Sequence, residues 1–263
     1  MGLVNSIFES VSSIDASIEN KIYYPPDTPY ELFNELNTDV SKLYVLKTED
    51  DDKVPMVQIR PKYNAFPKKY IVFSHGNGSD IYSMFHYLKK LSNQLNVGIV
   101  CYDYVGYGLS RDKIPSEQLC YDSIKSVVKF LQKDYNLDND SIYLVGQSLG
   151  TGITIDFASK NYWATPIILI SPYKSICRVV FDTCFVTPID KFTSLSKLKY
   201  INCPIKIFHG ESDEVISIEH GREMYNNLKN KIFDPVWFEN TGHNDILDNI
   251  SPQEFMEVLD FDY

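Results

Sequence analysis

The stretch SIYLVGQSLGTG, residues 141–152, places one serine between two glycines at the end of an apolar run. Gly146 and Gly150 lie two residues before and two residues after Ser148, which gives the pattern G-x-S-x-G. This pattern is typical of a tight strand-to-helix turn that exposes the serine hydroxyl at the top of a sheet. Such a turn crowds the positions on both sides of the serine, so small residues are needed there. The stretch therefore predicts a serine nucleophile on a strand–turn–helix unit.

Short apolar runs recur along the chain and predict the strands of a sheet. Several are apolar throughout, as expected for strands buried on both faces of a parallel sheet, whereas the first two alternate more and suit an antiparallel edge. Amphipathic segments separate the later runs, and this alternation indicates a mostly parallel, doubly wound α/β sheet with helices on both faces. The runs are 42–47, 55–61, 69–75, 97–104, 141–147, 165–172, 203–210 and 234–240.

One interval, residues 172–202, interrupts this alternation because it contains no clear strand. A structureless loop of that length is uncommon in a compact domain, so we expect the interval to pack as a small cap over the sheet edge. We therefore predict an N-terminal amphipathic segment, residues 1–20, followed by one α/β domain, residues 21–263, that carries the cap.

The composition restricts the partners and cofactors of this 263-residue chain. Its 35 acidic and 25 basic residues give a formal net charge of −10, which disfavours binding to nucleic acid. The five cysteines are scattered and form no C-x-x-C pair, so we expect no disulfide framework, no metal site and no cofactor. Unpaired thiols favour a reducing compartment and predict a cytoplasmic protein. No apolar stretch reaches the ~18 residues that a membrane-spanning helix needs.

An acid and a histidine follow the serine in the chain order that a G-x-S-x-G turn predicts. Asp213 comes just after the seventh apolar run and His243 just after the eighth. Because the carboxyl ends of parallel strands meet at one edge of a sheet, we predict a catalytic triad of Ser148, Asp213 and His243. Glu211 is a less favoured alternative acid, and Asp245 follows the histidine too closely to reach around its ring.

The negative oxygen that forms during acyl transfer needs hydrogen-bond donors, which together form an oxyanion hole. We expect one donor to be the backbone N–H of Leu149, directly after the nucleophile. The second should come from the glycine-rich loop in IVFSHGNGSD, residues 71–80, where glycines let the backbone approach a ligand. The N–H of Asn77 is the first choice for this donor, and that of Gly78 is the alternative.

Five stretches together resemble the α/β-hydrolase domain-containing protein 17 family of protein depalmitoylases. The similarity extends from about Lys21 to Leu259 and implies an α/β-hydrolase fold. The upstream segment YYPPDTPYEL, residues 23–32, resembles the part of that family before the hydrolase core. The stretches are VFSHGNGSD (72–80), CYDYVGYGLS (101–110), VGQSLGTG (145–152), FHGESDEVISIEHG (208–221) and VWFENTGHNDI (236–246).

The resemblance implies a serine hydrolase that cleaves S-acyl thioesters, palmitate above all, from proteins at membranes through an acyl-serine intermediate. It implies Ser148 as nucleophile, Asp213 as orienting acid and His243 as base. The alternatives are a carboxylesterase or lysophospholipase that uses the same triad on oxygen esters, and a non-catalytic binding module. Apolar cap residues are candidates to line an acyl groove or to form the cap's own core: Val179, Phe181, Phe185, Val186 and Ile189.

The N-terminal segment carries a possible signal for membrane attachment. The family has a palmitoylated, cysteine-rich N-terminus, whereas the first cysteine here is Cys101. Instead, MGLVNS, residues 1–6, matches the N-myristoylation pattern with Gly2 as the acceptor, and apolar residues recur behind it at helical spacing. One myristoyl chain binds membranes only marginally, so we expect reversible, peripheral association with the membrane surface and S-acylated proteins as substrates.

Overall fold

The computed structural model describes residues 22–181 and 190–261 of the chain. The segment 1–20, with Gly2, and the cap residues Phe185, Val186 and Ile189 therefore lie outside the described residues. Each of the eight apolar runs is a strand, as predicted. The strands are β1 (Ser41–Lys47), β2 (Lys53–Ile59), β3 (Tyr70–Ser74), β4 (Gly98–Tyr102), β5 (Ile142–Gln147), β6 (Ile167–Ile170), β7 (Ile205–Gly210) and β8 (Val236–Phe238).

All eight strands join in one sheet with the order β1-β2-β4-β3-β5-β6-β7-β8. The first two strands pair antiparallel with each other, and β2 pairs antiparallel with β4, whereas the pairings from β4 to β8 are parallel. The predicted antiparallel edge on a mostly parallel sheet is thus confirmed. Because the central strands run the same way, the loops after β3, β5, β7 and β8 lie at one edge, where active sites of such sheets form.

Helices cover both faces of the sheet. On one face α1 (Ile81–Leu95) and α8 (Pro252–Leu259) pack against strand residues such as Ile71. On the other face α2 (Glu117–Asp134), α3 (Leu149–Lys160) and α6 (Ile218–Asn226) pack against residues such as Val72. None of the helices in the described part of the chain is long and apolar enough to cross a membrane. The helices are α1 (Ile81–Leu95), α2 (Glu117–Asp134), α3 (Leu149–Lys160), α4 (Ile176–Phe181), α5 (Ser194–Lys197), α6 (Ile218–Asn226), α7 (Ile246–Asn249) and α8 (Pro252–Leu259).

Polar caps begin several of these helices at the positions that the sequence favours. The Asp80 side chain accepts a hydrogen bond from the backbone N–H of Ser83, and the backbone N–H of Asp80 donates to the Ser83 hydroxyl, so α1 has a complete capping box. The Ser116 side chain accepts a hydrogen bond from the backbone N–H of Leu119 at the start of α2. A cap of this kind stabilises a helix by about 1 kcal/mol because it satisfies a donor that the helix cannot. The first of these caps also fixes where the loop after β3 ends.

Helical elements occupy the described part of the interval that was predicted to lack a strand. After β6 the chain forms α4 and then α5, and a 3₁₀ turn at Leu198–Tyr200 leads into β7. The N–H of Ile176 donates to the carbonyl of Lys191 at 3.0 Å, which joins α4 to the segment at 190–193. Phe192 in this segment is fully buried and packs against the sheet-covering core. These elements stand beside the carboxyl edge of the sheet.

Candidate active site

Ser148 occupies a strained turn between β5 and α3. Its backbone has φ 49° and ψ −118°, a region that non-glycine residues rarely adopt. A Cβ at Gly150 would lie 2.0 Å from the carbonyl oxygen of Ser74, and one at Gly146 would lie 2.5 Å from that of Gly150. Both positions therefore require glycine, because any side chain would collide with backbone. Gly150 is thus required by the close approach of α3 to β3, and Gly146 by the close approach of β5 to α3.

The structure brings Ser148, Asp213 and His243 together from three separate loops. The Nε2 atom of His243 lies 3.1 Å from Ser148 Oγ, and its Nδ1 atom lies 2.8 Å from Asp213 Oδ2. The serine comes from the turn after β5, the aspartate follows β7, and the histidine follows β8. A base within hydrogen-bond reach of a hydroxyl, itself oriented by a carboxylate, is the arrangement that activates a serine nucleophile.

The Asp213 carboxylate is held ionised by its surroundings. Burial alone would raise its pKa, but hydrogen bonds from His209 and His243 and from the N–H of Ile216 outweigh burial, and the pKa is lowered well below its ordinary value. The N–H groups of Val215 and Ile216 donate to Oδ1 at 2.9 and 2.7 Å, which leaves Oδ2 for the catalytic histidine. A carboxylate fixed in this way keeps the imidazole in one orientation and stabilises its charged form.

The two rival acids bind elsewhere. Glu211 forms an ion pair with Arg222, with 3.3 Å between Oε1 and Nη2. Asp245 Oδ1 accepts a hydrogen bond from the N–H of Gly242 at 2.8 Å, so it supports the turn that carries His243. Neither carboxylate faces the imidazole in the way that Asp213 does.

The expected oxyanion donors lie on both sides of the serine. Leu149 is the first residue of α3, so its N–H is among the donors that have no acceptor within the helix, and the helix dipole adds positive potential there. Asn77 lies in the loop between β3 and α1, and Gly76, Asn77, Gly78 and Leu149 all border the same pocket as Ser148. The structure thus places both predicted donors, and the alternative Gly78, beside the nucleophile.

A buried histidine–aspartate pair supports the loop that carries Asn77. His75 Nδ1 donates to the carbonyl of Gly76 at 2.8 Å, and the Tyr104 hydroxyl donates to the carbonyl of His75 at 2.5 Å. His75 Nε2 lies 3.4 Å from Asp103 Oδ1, which also accepts the N–H of Ile81 at 2.8 Å. Burial raises the pKa of Asp103, and the hydrogen bond and charge of His75 act against this rise. Sequence reasoning missed this support, although Asp103 lies within the quoted stretch CYDYVGYGLS.

A pocket of about 660 Å³ opens beside Ser148 and His243. Its lining is mostly apolar and includes Val179, the one predicted acyl-groove residue whose side chain the structure describes, together with Ile176 of the same helix. Phe181 ends α4, and its side chain lies outside what the structure describes. The lining also includes Ile22 and Tyr24, which sequence reasoning did not connect with the site. We call residues 22–24 the strap.

Comparisons with known proteins agree with this fold and site. An α/β hydrolase of Acanthamoeba polyphaga mimivirus is 60% identical over 261 residues, which cover 99% of each chain. The chain belongs to the α/β-hydrolase family. A model of the family described as serine aminopeptidase, S33, matches residues 65–195 of this hydrolase. The matched range includes Ser148 and ends before Asp213 and His243.

The predicted resemblance to α/β-hydrolase domain-containing protein 17 is also confirmed. The hydrolase is 34% identical to protein 17C of Mus musculus over 215 residues, which cover 81% of this chain and 66% of that protein. The protein 17C of Homo sapiens is equally similar, with 64% of its length covered. The chain therefore spans about two thirds of the length of these relatives.

Solved structures show the same fold at low sequence identity. An esterase of Pyrococcus furiosus superposes with a TM-score of 0.69 at 17% identity, covering 91% of this hydrolase and 97% of the esterase. An α/β serine hydrolase homologue of Coxiella burnetii has a TM-score of 0.62 at 19% identity, covering 85% and 97% of the two chains. These likenesses confirm the predicted fold class.

Proposed function

We propose that this hydrolase cleaves acyl thioesters, and that its substrates are S-acylated proteins. The observation that carries the proposal is the triad of Ser148, Asp213 and His243 at the mouth of an apolar pocket of about 660 Å³. A pocket of this size and lining suits an acyl chain, because apolar surface removed from water contributes about 25 cal/mol per Å². The similarity to α/β-hydrolase domain-containing protein 17 supports the same conclusion.

The reaction proceeds in two acyl transfers. His243 Nε2 takes the proton of Ser148 as Oγ attacks the thioester carbonyl, and the N–H groups of Leu149 and Asn77 bind the negative oxygen. The carbon–sulfur bond breaks, the cysteine leaves with the proton from His243, and the acyl group stays on Ser148. Water, deprotonated by His243, then attacks the acyl-serine, and the proton returns to Oγ as the fatty acid is released. Asp213 orients the imidazole through both steps.

The charge of the pocket argues against cleavage of peptides from a free amino terminus. An aminopeptidase must bind the substrate's ammonium group, which calls for a carboxylate near the serine. The pocket-lining residues that the structure describes include no aspartate, glutamate, lysine or arginine. The match to the serine aminopeptidase model over 65–195 thus supports the fold rather than that substrate class.

The decisive experiment compares a palmitoyl-cysteine peptide with the matched palmitoyl-serine peptide. We expect a higher kcat/KM on the thioester, since the thiolate is the better leaving group and the pocket binds the shared acyl chain. A higher kcat/KM on the oxygen ester would instead identify a carboxylesterase or lysophospholipase. Labelling by a fluorophosphonate, lost in Ser148→Ala, tests for an active nucleophile. A wild-type chain that does not label would favour the non-catalytic binding module.

We also propose that the chain before the strap attaches this hydrolase reversibly to membranes from the cytoplasmic side. Ile22, the first described residue, lies at the edge of the active-site pocket, so the preceding segment joins the domain beside the nucleophile. The MGLVNS pattern nominates Gly2 for myristoylation. Intact-mass measurement of full-length protein from eukaryotic cells should show one myristoyl group that Gly2→Ala abolishes. An unmodified wild-type chain would contradict the proposal.

A further inference from the structure

The strap forms one side of the active-site pocket, although it lies far from Ser148 in the sequence. Ile22 is buried and Tyr24 is exposed, and both border the space beside the nucleophile. Ile22 also belongs to the same apolar core as Leu149, against which Ile176 and Val179 of α4 pack. An acyl chain in this pocket would therefore meet side chains of both the strap and α4.

A single side chain joins the strap to the oxyanion loop. Asn77 Oδ1 accepts the backbone N–H of Tyr24 at 3.0 Å and the hydroxyl of Tyr107 at 2.6 Å, while its Nδ2 donates to the carbonyl of Ile22. The backbone N–H of this same residue is the proposed second oxyanion donor. The position of the strap and the geometry of the oxyanion loop are thus coupled through Asn77.

A second contact joins the strap to the segment after α4. The ring of Tyr23 packs edge-on against Phe192, with 6.4 Å between centroids and 72° between planes. Both side chains are buried. Further along the chain, Arg111 binds Asp27 at 2.7 Å and lies 4.3 Å from the centre of the Tyr30 ring. The strap is therefore fixed both to the oxyanion loop and to the segment after α4, which limits how far its part of the pocket lining can move.

We propose that the strap determines the acyl-chain specificity of this hydrolase. Ile22 is the side chain that limits the length of the acyl chain that the pocket accepts. The Asn77 side chain is the positioning group that holds Ile22 in place. This inference rests on the proposed function, since it assumes that an acyl group occupies the pocket. The strap backbone is held at two points and is therefore rigid. A larger or smaller side chain at Ile22 consequently changes the space that is left for the bound acyl chain.

The first test varies the volume of the side chain at Ile22. Wild type, Ile22→Ala, Ile22→Val and Ile22→Trp are assayed with butyryl, octanoyl and palmitoyl substrates, as thioesters and as p-nitrophenyl esters. The quantity compared is the ratio of kcat/KM for palmitoyl to kcat/KM for butyryl. We expect Trp to lower this ratio about tenfold and Ala to raise it about threefold, which is the scale on which apolar pockets discriminate chain length. Ile22→Val should lie close to wild type.

The second test loosens the strap without changing its side chains. Tyr107→Phe removes one hydroxyl from the Asn77 amide, and Asn77→Ala removes all three hydrogen bonds while the backbone N–H stays. Both should move the ratio in the direction of Ile22→Ala, and Asn77→Ala should move it further. Tyr63→Ala, at an exposed residue outside the strap and the pocket lining, is the control and should leave the ratio unchanged. If Asn77→Ala does not fold, Tyr107→Phe alone decides.

The outcomes separate this inference from the proposed function. A preference for oxygen esters would overturn the thioesterase proposal, yet the ester series would still test the strap. Confirmed thioesterase activity with the same ratio in all Ile22 variants would overturn the strap inference alone. So would Ala and Trp variants that shift the ratio in one direction, because that result indicates general damage rather than a change of pocket width.

Discussion

The pair of His243 and Asp213 and the pair of His75 and Asp103 both lie at the carboxyl edge of the sheet, and they differ in what surrounds them. His243 Nδ1 and Asp213 Oδ2 are 2.8 Å apart, the histidine side chain is 12% exposed, and its other nitrogen faces Ser148 Oγ. His75 Nε2 and Asp103 Oδ1 are 3.4 Å apart, both side chains are fully buried, and the other nitrogen of His75 binds a backbone carbonyl. Of these two pairs, only the first has a ring nitrogen that faces the pocket.

The difference shows why a histidine beside a carboxylate is not by itself a catalytic base. A base must reach the proton that it removes and exchange it with substrate and water, which requires access from the pocket. The pair of His75 and Asp103 lacks such access and instead holds the backbone of Gly76 and the first turn of α1. We propose that one pair performs the chemistry and that the other shapes the loop that binds the oxyanion.

The largest expected effect comes from breaking the exposed pair. Asp213→Asn keeps the shape of the side chain but removes the charge that orients His243, so kcat should fall by about 10⁴-fold. Steady-state kinetics on a p-nitrophenyl ester measure this loss, and Glu211→Gln, which alters the rival acid, is the matched control. Comparable losses in the two variants would contradict the assignment of Asp213.

A smaller effect is expected from breaking the buried pair. His75→Phe leaves the buried Asp103 without its partner and should lower the free energy of unfolding by about 1–3 kcal/mol. The displaced oxyanion loop should also reduce kcat about a hundredfold, with less change in KM. Urea unfolding and kinetics check the two quantities, and His86→Phe, on the exposed side of α1, is the control. A variant as active as wild type would show that the pair has no role in positioning the loop.

The smallest effect concerns stability in acid. The pKa of Asp213 is lowered in the folded state from its ordinary value of 3.8. Its stabilising contribution is therefore complete above about pH 4 and is lost as pH falls through the folded-state pKa. Between pH 5 and pH 3, the free energy of unfolding should decline more steeply in wild type than in Asp213→Asn, as measured by urea unfolding at each pH. Parallel declines would show that Asp213 does not stabilise the fold in its ionised form.

Sequence reasoning predicted the sheet and predicted that Ser148, Asp213 and His243 lie at one edge of it. It did not identify the residues that hold these three side chains in position. The strands follow from runs of apolar residues, and Asp213 and His243 follow from the order in which parallel strands place their carboxyl ends. Val179 became a candidate lining residue because the cap was predicted to lie over the sheet edge, and its side chain borders the pocket. His209 binds the carbonyl of Ile216 and lies 3.5 Å from Asp213 Oδ2, and no local pattern in the sequence marks this role.

The sequence by itself determined the features that depend on neighbouring residues. The glycines around Ser148, the apolar runs and the helix caps each satisfy a steric or hydrogen-bonding requirement of their own turn, strand or helix. They can therefore be recognised from the sequence alone. Only the tertiary structure decided which distant residues complete the site. Tyr24 and Asn77 are separated by 53 positions, and no local pattern marks the hydrogen bond between them. The shape of the pocket depends on such contacts, because residues of the strap and of α4, distant in sequence, both line it beside Ser148.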